Sequence, residues 1–309
     1  MIQNPKISLS VISETSLLKS VVLGIPTDLG DIPKIDECFD PASIFHVVNN
    51  SYPTAMDISN EMAEFLGVLI KHNIKVLRPE NIPNLNQVFA RDLGFVIQDT
   101  FLLSNIIENR SNEIPAINSI LNLIPKNKVL KIDSNSKIEG GDVTIFKNHI
   151  FIGASNPIDF KKYKVARTNF QAVDFIQSAF PSRKVMGFEL FKSDTDKNEN
   201  TLHLDCCFQP VGNDLAIIAP DSFKNKSDVD YLENLIGKSN LFYLDKVEKN
   251  QMYSNIFSIS SNVVVSDIRF SRLNKWLKQK DILVEEINYS QISKMGGLFR
   301  CSTLPLIRE

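Results

Sequence analysis

The sequence is poor in the features that most quickly assign a chain to a class. No run of lysine or arginine is long enough to follow a phosphate backbone, and 34 basic side chains stand against 36 acidic ones. Nucleic acid and membrane surfaces are therefore not expected as partners. No stretch approaches the ~20 apolar residues of a spanning helix, and Met1 to Ser10 shows no apolar core behind a basic region, so a cytoplasmic location is expected. Only four cysteines occur, at 38, 206, 207 and 301, without any C-x-x-C pair. Cys206 and Cys207 are adjacent and on a strand would face opposite ways, so no disulfide framework is expected and the usage fits a reducing compartment.

With 43% hydrophobic residues over 309 positions, the chain has enough apolar surface for one or two full cores. It is read as one domain, 1–309. Apolar alternation and helical stripes repeat in the order strand, strand, helix, strand with a period of roughly fifty to sixty residues. The first unit starts with a strand at 20–24 and has a helix over 56–72, with Met62, Phe65, Leu66 and Leu69 on one stripe, and a strand at 74–77. Its second strand is missing, and 31–52 reads as loop and short helix punctuated by Pro33, Pro41 and Pro53.

The second unit runs through 88–96, 100–104, 115–123 and 129–132, and the third through 143–146, 150–152, 169–180 and 184–190. The fourth takes 203–210, 215–218, 228–236 and 241–244, and the fifth 256–259, 263–265, 270–279 and 283–287. Corners at Asp99–Thr100 and Asn213–Asp214 mark hairpins. A last strand carrying Cys301 has no unit of its own. Five like units plus one strand predict a closed ring in which that strand completes the first unit, since an open sheet would leave edges exposed.

Polar residues recur in or just before the first strand of each unit: Arg91 and Asp92, Glu139 and Asp142, His203 and Asp205, then Cys301 on the closing strand. Equivalent positions of a ring face one axis, so these side chains are predicted to converge on one pocket. Any one of them alone reads as an ordinary packed or ion-paired residue; four at matching places do not. Several buried carboxylates aimed at one place imply a cation or a shared proton. One thiol, one imidazole and carboxylates make a poor zinc set, so no metal or cofactor is expected. They make a good set for attack on a flat cation. Asp92 and Asp205 would take paired N–H donors from a guanidinium. Cys301 would attack as the thiolate, and His203, oriented by Glu139 or Asp142, would move the protons.

The segments NQVFARD (86–92), EGGD (139–142), HLD (203–205) and GGLFRC (296–301) resemble, in order, the motifs of the guanidino-group modifying enzymes. This pentein superfamily comprises arginine deiminases and dihydrolases, dimethylarginine dimethylaminohydrolases and amidinotransferases. The resemblance implies a five-bladed α/β propeller of ββαβ units, with Cys301 as nucleophile, His203 as general acid/base and Glu139 as its partner. It also implies substrate contacts from Asp92, Asp205, Asn86, Phe89 and Arg91, and a carboxylate contact from Arg167 in the segment 166–168.

Asp205 resembles the deiminases and amidinotransferases more than the dimethylarginine hydrolases, which implies an unsubstituted guanidinium. Leu298 replaces a small residue, which implies a different pocket mouth. The expected activity is hydrolysis of arginine or a close analogue with release of ammonia. The alternatives are amidino transfer to an amine, dimethylarginine hydrolysis, and a propeller that binds without catalysis. The expected partner is a small guanidino molecule, with a homo-oligomer left open. The segment 192–200 is expected to be a loop beside the site.

Overall fold

The apolar runs pair as small three-stranded sheets, each with one antiparallel and one parallel ladder. The computed structural model describes residues 6–309, so the first half of the Met1–Ser10 segment lies outside the described residues. β1 (Leu18–Leu23) pairs in parallel with β2 (Lys75–Leu77). β3 (Gly94–Ile97), β4 (Thr100–Leu103) and β5 (Val129–Lys131) form the second sheet, and β6 (Val143–Phe146), β7 (His149–Ala154) and β8 (Lys184–Glu189) the third. β9 (Phe208–Val211), β10 (Leu215–Ile218) and β11 (Leu241–Tyr243) follow, then β12 (Phe257–Ser260), β13 (Val263–Asp267) and β14 (Leu283–Ile287). The final strand, β15 (Thr303–Arg308), pairs antiparallel with β1 and supplies the strand missing from the first unit. The result is a five-bladed α/β propeller closed by its own C-terminal strand.

The inner strands β3, β6, β9 and β12 are buried throughout, so they read as continuous apolar runs rather than alternating ones. Their hairpins turn tightly where Gln98, Lys147 and Gly212 take positive φ (56°, 51° and 65°). The longest helix, Ala55–Lys71, starts on a capping box made by Thr54 and Asp57 and buries Ile58, Met62, Phe65 and Leu69. Phe65 meets Phe257, Tyr289 and Phe299 edge-on, with ring centroids 6.0, 5.7 and 5.3 Å away. That aromatic cluster fixes the segment leading to Cys301; replacing Phe65 by Ala would cost about 3–5 kcal/mol.

One structural expectation needs correcting. Arg91, Asp92, His203, Asp205 and Cys301 do not lie within strands, whereas Glu139 and Asp142 fall just before β6 as expected. Ala90–Leu93, Gly140–Asp142 and Leu204–Cys206 are short 3-10 turns immediately before β3, β6 and β9, and Cys301 sits in a turn before β15. A turn presents consecutive side chains and backbone N–H groups to one place, which a pleated strand with its period of two cannot do. Cys206 and Cys207 therefore do not straddle a strand, and all four cysteines are free and buried.

Candidate active site

Five pre-strand turns meet at one end of the ring, and each delivers a polar side chain: Asp92, Glu139, His203 with Asp205, Asn255 and Cys301. Their local backbone is set by glycine where crowding demands it. A Cβ on Gly141 would lie 2.6 Å from His203 Nδ1 and 3.2 Å from Asp92 Oδ1. Gly296, at φ +87°, turns the chain in the left-handed region against the Asp40 carboxylate.

His203 is buried, and its Nε2 lies 2.9 Å from Glu139 Oε2 while its Nδ1 faces Asp92 Oδ1 at 3.8 Å. Burial alone would lower its pKa, but the carboxylates of Asp92, Asp142 and Glu139 outweigh burial and push it up to about 9. The imidazolium then donates from Nε2 to Glu139. Asp142 stands behind, accepting the backbone N–H of Leu204 at 2.9 Å. Glu139 is fully buried; against that burial, Arg167, His203 and Arg110 hold its carboxyl far below the usual range.

Cys301 Sγ lies 3.7 Å from Asp205 Oδ2 and 3.1 Å from Asn255 Nδ2, and Asn255 Oδ1 accepts the Cys301 backbone N–H at 3.2 Å. Burial, then the charges of Asp205 and Asp92, raise the thiol well above its ordinary value. The site without ligand thus holds a neutral thiol among carboxylates, and a cation between them would reverse that balance. Asp92 Oδ1, Glu139 Oε1 and His203 Nδ1 are buried with no hydrogen-bond partner. Buried polar atoms usually find partners, so the two carboxylate oxygens mark where a ligand's N–H groups fit, and His203 Nδ1–H is a donor left free for one.

Asp92, Glu139 and His203 bring three donor atoms within 4.8 Å of one another, a spacing a metal ion could use. Glu139 Oε2, however, already faces Arg167 Nη1 at 3.1 Å and Arg110 Nη1 at 3.4 Å. Guanidinium groups supply the positive charge there.

A model of one protein family, N,N dimethylarginine dimethylhydrolase, eukaryotic, matches residues 49–308. The chain belongs to this family. It is similar to Bacillus subtilis (strain 168) protein YkgA, which is uncharacterized, at 29% identity over 257 residues, covering 82% of this chain and 81% of the relative. The fold is shared with the inosamine-phosphate amidinotransferase StrB1 of Streptomyces griseus (TM-score 0.75, 15% identity, 97% of each chain). It is also shared with the N-terminal domain of ArgZ, a cyanobacterial arginine dihydrolase bound to its substrate (TM-score 0.76, 17% identity, 94% of this chain and 98% of that one). These likenesses place the dimethylarginine dimethylhydrolase family member within the guanidino-modifying pentein superfamily.

In this family member the remaining sequence-predicted residues fall in different places. Phe89 packs over Gly297, where an added Cβ would come 2.5 Å from its ring and 2.9 Å from Cys301 Cβ, so it walls the thiol. Asn86 is half-buried and its Oδ1 caps the Val88 N–H at 3.1 Å. Arg91 departs from its expected role. Its backbone N–H donates to Cys301 O at 3.0 Å and its Nε to Arg300 O at 3.3 Å, and its side chain lines a small internal void with Glu14 and Arg308. It braces the Cys301 turn from behind. Arg167, expected to contact a substrate carboxylate, is buried and gives Nη1 to Glu139 and Nη2 to Phe39 O at 2.7 Å. Leu298 is wholly buried in the core and shapes no mouth.

Three residues escaped the sequence reading. Asn255 occupies the fifth blade's pre-strand turn, the one position in the repeat left without a polar assignment. Arg110 gives Nη1 to Asp92 Oδ2 at 2.8 Å, and its Nε and Nη2 pair with Glu113 at 2.8 Å each. Arg300 bridges Asp205 Oδ2 (2.9 Å) and Glu14 (3.1 Å), holding the Asp205 carboxylate beside the sulfur. Nothing in the spacing of Arg110 or Glu14 signals this role.

Proposed function

We propose that the chain hydrolyses the guanidino group of an arginine-like substrate through a covalent intermediate on Cys301. The observation that carries the reading is the orphaned, buried pair of Asp92 Oδ1 and His203 Nδ1, 3.8 Å apart, with Asp205, two residues after His203, 3.7 Å from Cys301 Sγ. A guanidinium placed between Asp92 and Asp205 presents paired N–H donors to both carboxylates, which fixes its plane. Its charge offsets the two that keep the thiol protonated, so substrate binding drives the thiol proton out to solvent, His203 being already protonated, and the thiolate forms only once the substrate is in place.

The thiolate attacks the central carbon, making a C–S bond. His203 Nδ1–H protonates the departing nitrogen as the C–N bond breaks, and ammonia leaves. His203, now neutral and still hydrogen-bonded to Glu139, takes a proton from water, whose oxygen attacks the same carbon. The C–S bond breaks, releasing a ureido product and restoring the thiol. Arg110 and Arg167 keep Glu139 ionised so that it retains His203 as the acid. We assign Arg167 this positioning role, because its guanidinium faces Glu139, in place of a contact to the substrate carboxylate.

The flanking of the guanidinium by Asp92 and Asp205 favours two unsubstituted nitrogens. The family match favours a second reading, in which the substrate is methylated and dimethylamine leaves. Incubation with arginine, dimethylarginine and simple guanidines, with ammonia, dimethylamine, citrulline and ornithine quantified, separates the two. Adding glycine or ornithine and seeking a new guanidino product tests amidino transfer. No turnover of any guanidine, or full activity in Cys301→Ser, would reject the proposal.

A further inference from the structure

A cleft of about 260 Å³ opens beside the site, with Cys206 and Gly296 in its wall. Cys206 follows Asp205 in the chain, and Gly296 precedes the glycine packed against Cys301 and Phe89. The far end of a guanidino substrate would therefore lie in this cleft. Its lining is one-signed: Lys197, Lys249, Lys294 and Arg269 face only one carboxylate, Asp40. This is not a reflection of the whole chain, whose net charge is −2.

The charges in the cleft are unequally engaged. Arg269 is neutralised by Asp267 at 2.8 and 2.7 Å. The three lysines form no ion pair: Lys249 donates to Asn200 O at 2.7 Å, Lys294 to Gln291 Oε1 at 2.6 Å, and Lys197 sits over the Phe45 ring at 3.6 Å. Burial lowers the pKa of Lys197 and Lys249. Burial, then Lys197 and Lys294, lower that of His46 in the same wall to about 4. Asp40, meanwhile, caps the helix Pro41–Val48, accepting from Ser43 N and Oγ at 2.9 and 2.7 Å. The cleft offers charge to an anion and no uncommitted carboxylate to an ammonium group.

Resting on the proposed guanidine chemistry, we infer that this cleft selects substrates whose distal end is net negative, a guanidino compound ending in a carboxylate or phosphate without a neighbouring ammonium. A zwitterionic tail such as that of arginine gains less there, because its ammonium meets three lysines. A cationic tail is repelled. Lysine ammonium groups are compact point charges that suit either anion, so carboxylate and phosphate are the two sources of the same chemistry.

The test compares kcat/KM for 4-guanidinobutyrate, 3-guanidinopropyl phosphate, arginine and agmatine, with the wild type, Lys197→Met, Lys294→Met and the double variant. Expected is a preference of about tenfold or more for the two anionic substrates over agmatine, equivalent to about 1.4 kcal/mol, with arginine between them. The preference should shrink in each lysine variant and with rising salt, the loss residing in KM. Comparison of the two anionic substrates identifies which source fits better. Lys128→Met, on another blade, serves as the control. Equal or better use of arginine or agmatine, or a preference untouched by the double variant, would overturn the inference while leaving the guanidine chemistry intact. Turnover of none of the four would remove both.

Discussion

Removing Arg110 and Glu113 together should cost the protein far less than the sum of removing each alone. Both oxygens of Glu113 bond to Arg110, at 2.8 Å each, and Asp92 Oδ2 lies 2.8 Å from the same guanidinium. In Arg110→Met the methionine fills most of the volume, but the buried Glu113 loses its only cation, and Asp92 and Glu139 lose a shared one. Leaving buried carboxylates uncompensated costs about 3–5 kcal/mol. At about 2–4 °C per kcal/mol, a scale set by domains slightly smaller than this one, the melting temperature should fall by roughly 10 °C. Replacing Glu113 as well removes the stranded charge, so Arg110→Met/Glu113→Met should recover about 2 kcal/mol or more relative to the sum of the single variants. Thermal unfolding of the four proteins closes the cycle. Additive losses would refute the claim that Arg110 and Glu113 act as one buried unit. Activity should remain impaired in the stabilised double variant, because Asp92 and Glu139 still lack the cation that orders them beside His203.

Other consequences follow from the same groups. Because His203 is raised from 6.5 to about 9 by its carboxylate neighbours, its contribution to stability, roughly 3 kcal/mol, is complete below pH 6.5 and is lost as pH rises through 9. Wild type should therefore lose more stability than His203→Gln between pH 6 and 10, and parallel losses would contradict this. The buried, carboxylate-flanked Cys301 thiol should react slowly with iodoacetamide at pH 7.5 and faster in Asp205→Asn; rapid labelling of the wild-type Cys301 peptide would show a preformed thiolate instead. Gly141→Ala pushes a Cβ to within 2.6 Å of His203 Nδ1, and a displacement on the order of 1 Å at a reacting group should cut kcat about a hundredfold. Unchanged turnover would mean that the ring has no catalytic task at that position.

Much of the architecture was legible because blade strands and helices are dictated by apolar patterning, which survives in a single sequence. The ring closure was legible too, since one strand was missing at 31–52 and one left over at the C-terminus. The exact setting of the polar residues was not. Arg91–Asp92 and His203–Asp205 adjoin apolar runs and look like strand residues, yet the need to aim neighbouring side chains and N–H groups at one point makes them turns. The repeat itself held the signal for Asn255, which stands just before β12 as Asp92 stands before β3. Arg110, Arg167 and Glu14 belong to a different class: they lie far in sequence from the groups they hold, and only the fold brings their charges to Asp92, Glu139 and Arg300. The cationic cleft was equally hidden, since Lys197, Lys249 and Lys294 come from a loop, the short helix Lys246–Asn250 and the turn Ile292–Met295 of a chain with balanced charge.

The central claim is a covalent bond between Cys301 and the carbon of a guanidino group. Acid-quenching the protein during turnover of a guanidino substrate and mapping peptide masses tests it most directly. An amidino adduct should appear on the peptide containing Cys301, form more slowly in His203→Gln, which lacks the acid for the departing nitrogen, and be absent from Cys301→Ser. Turnover with no adduct at any time point, or an adduct on Cys206 instead, would contradict the account.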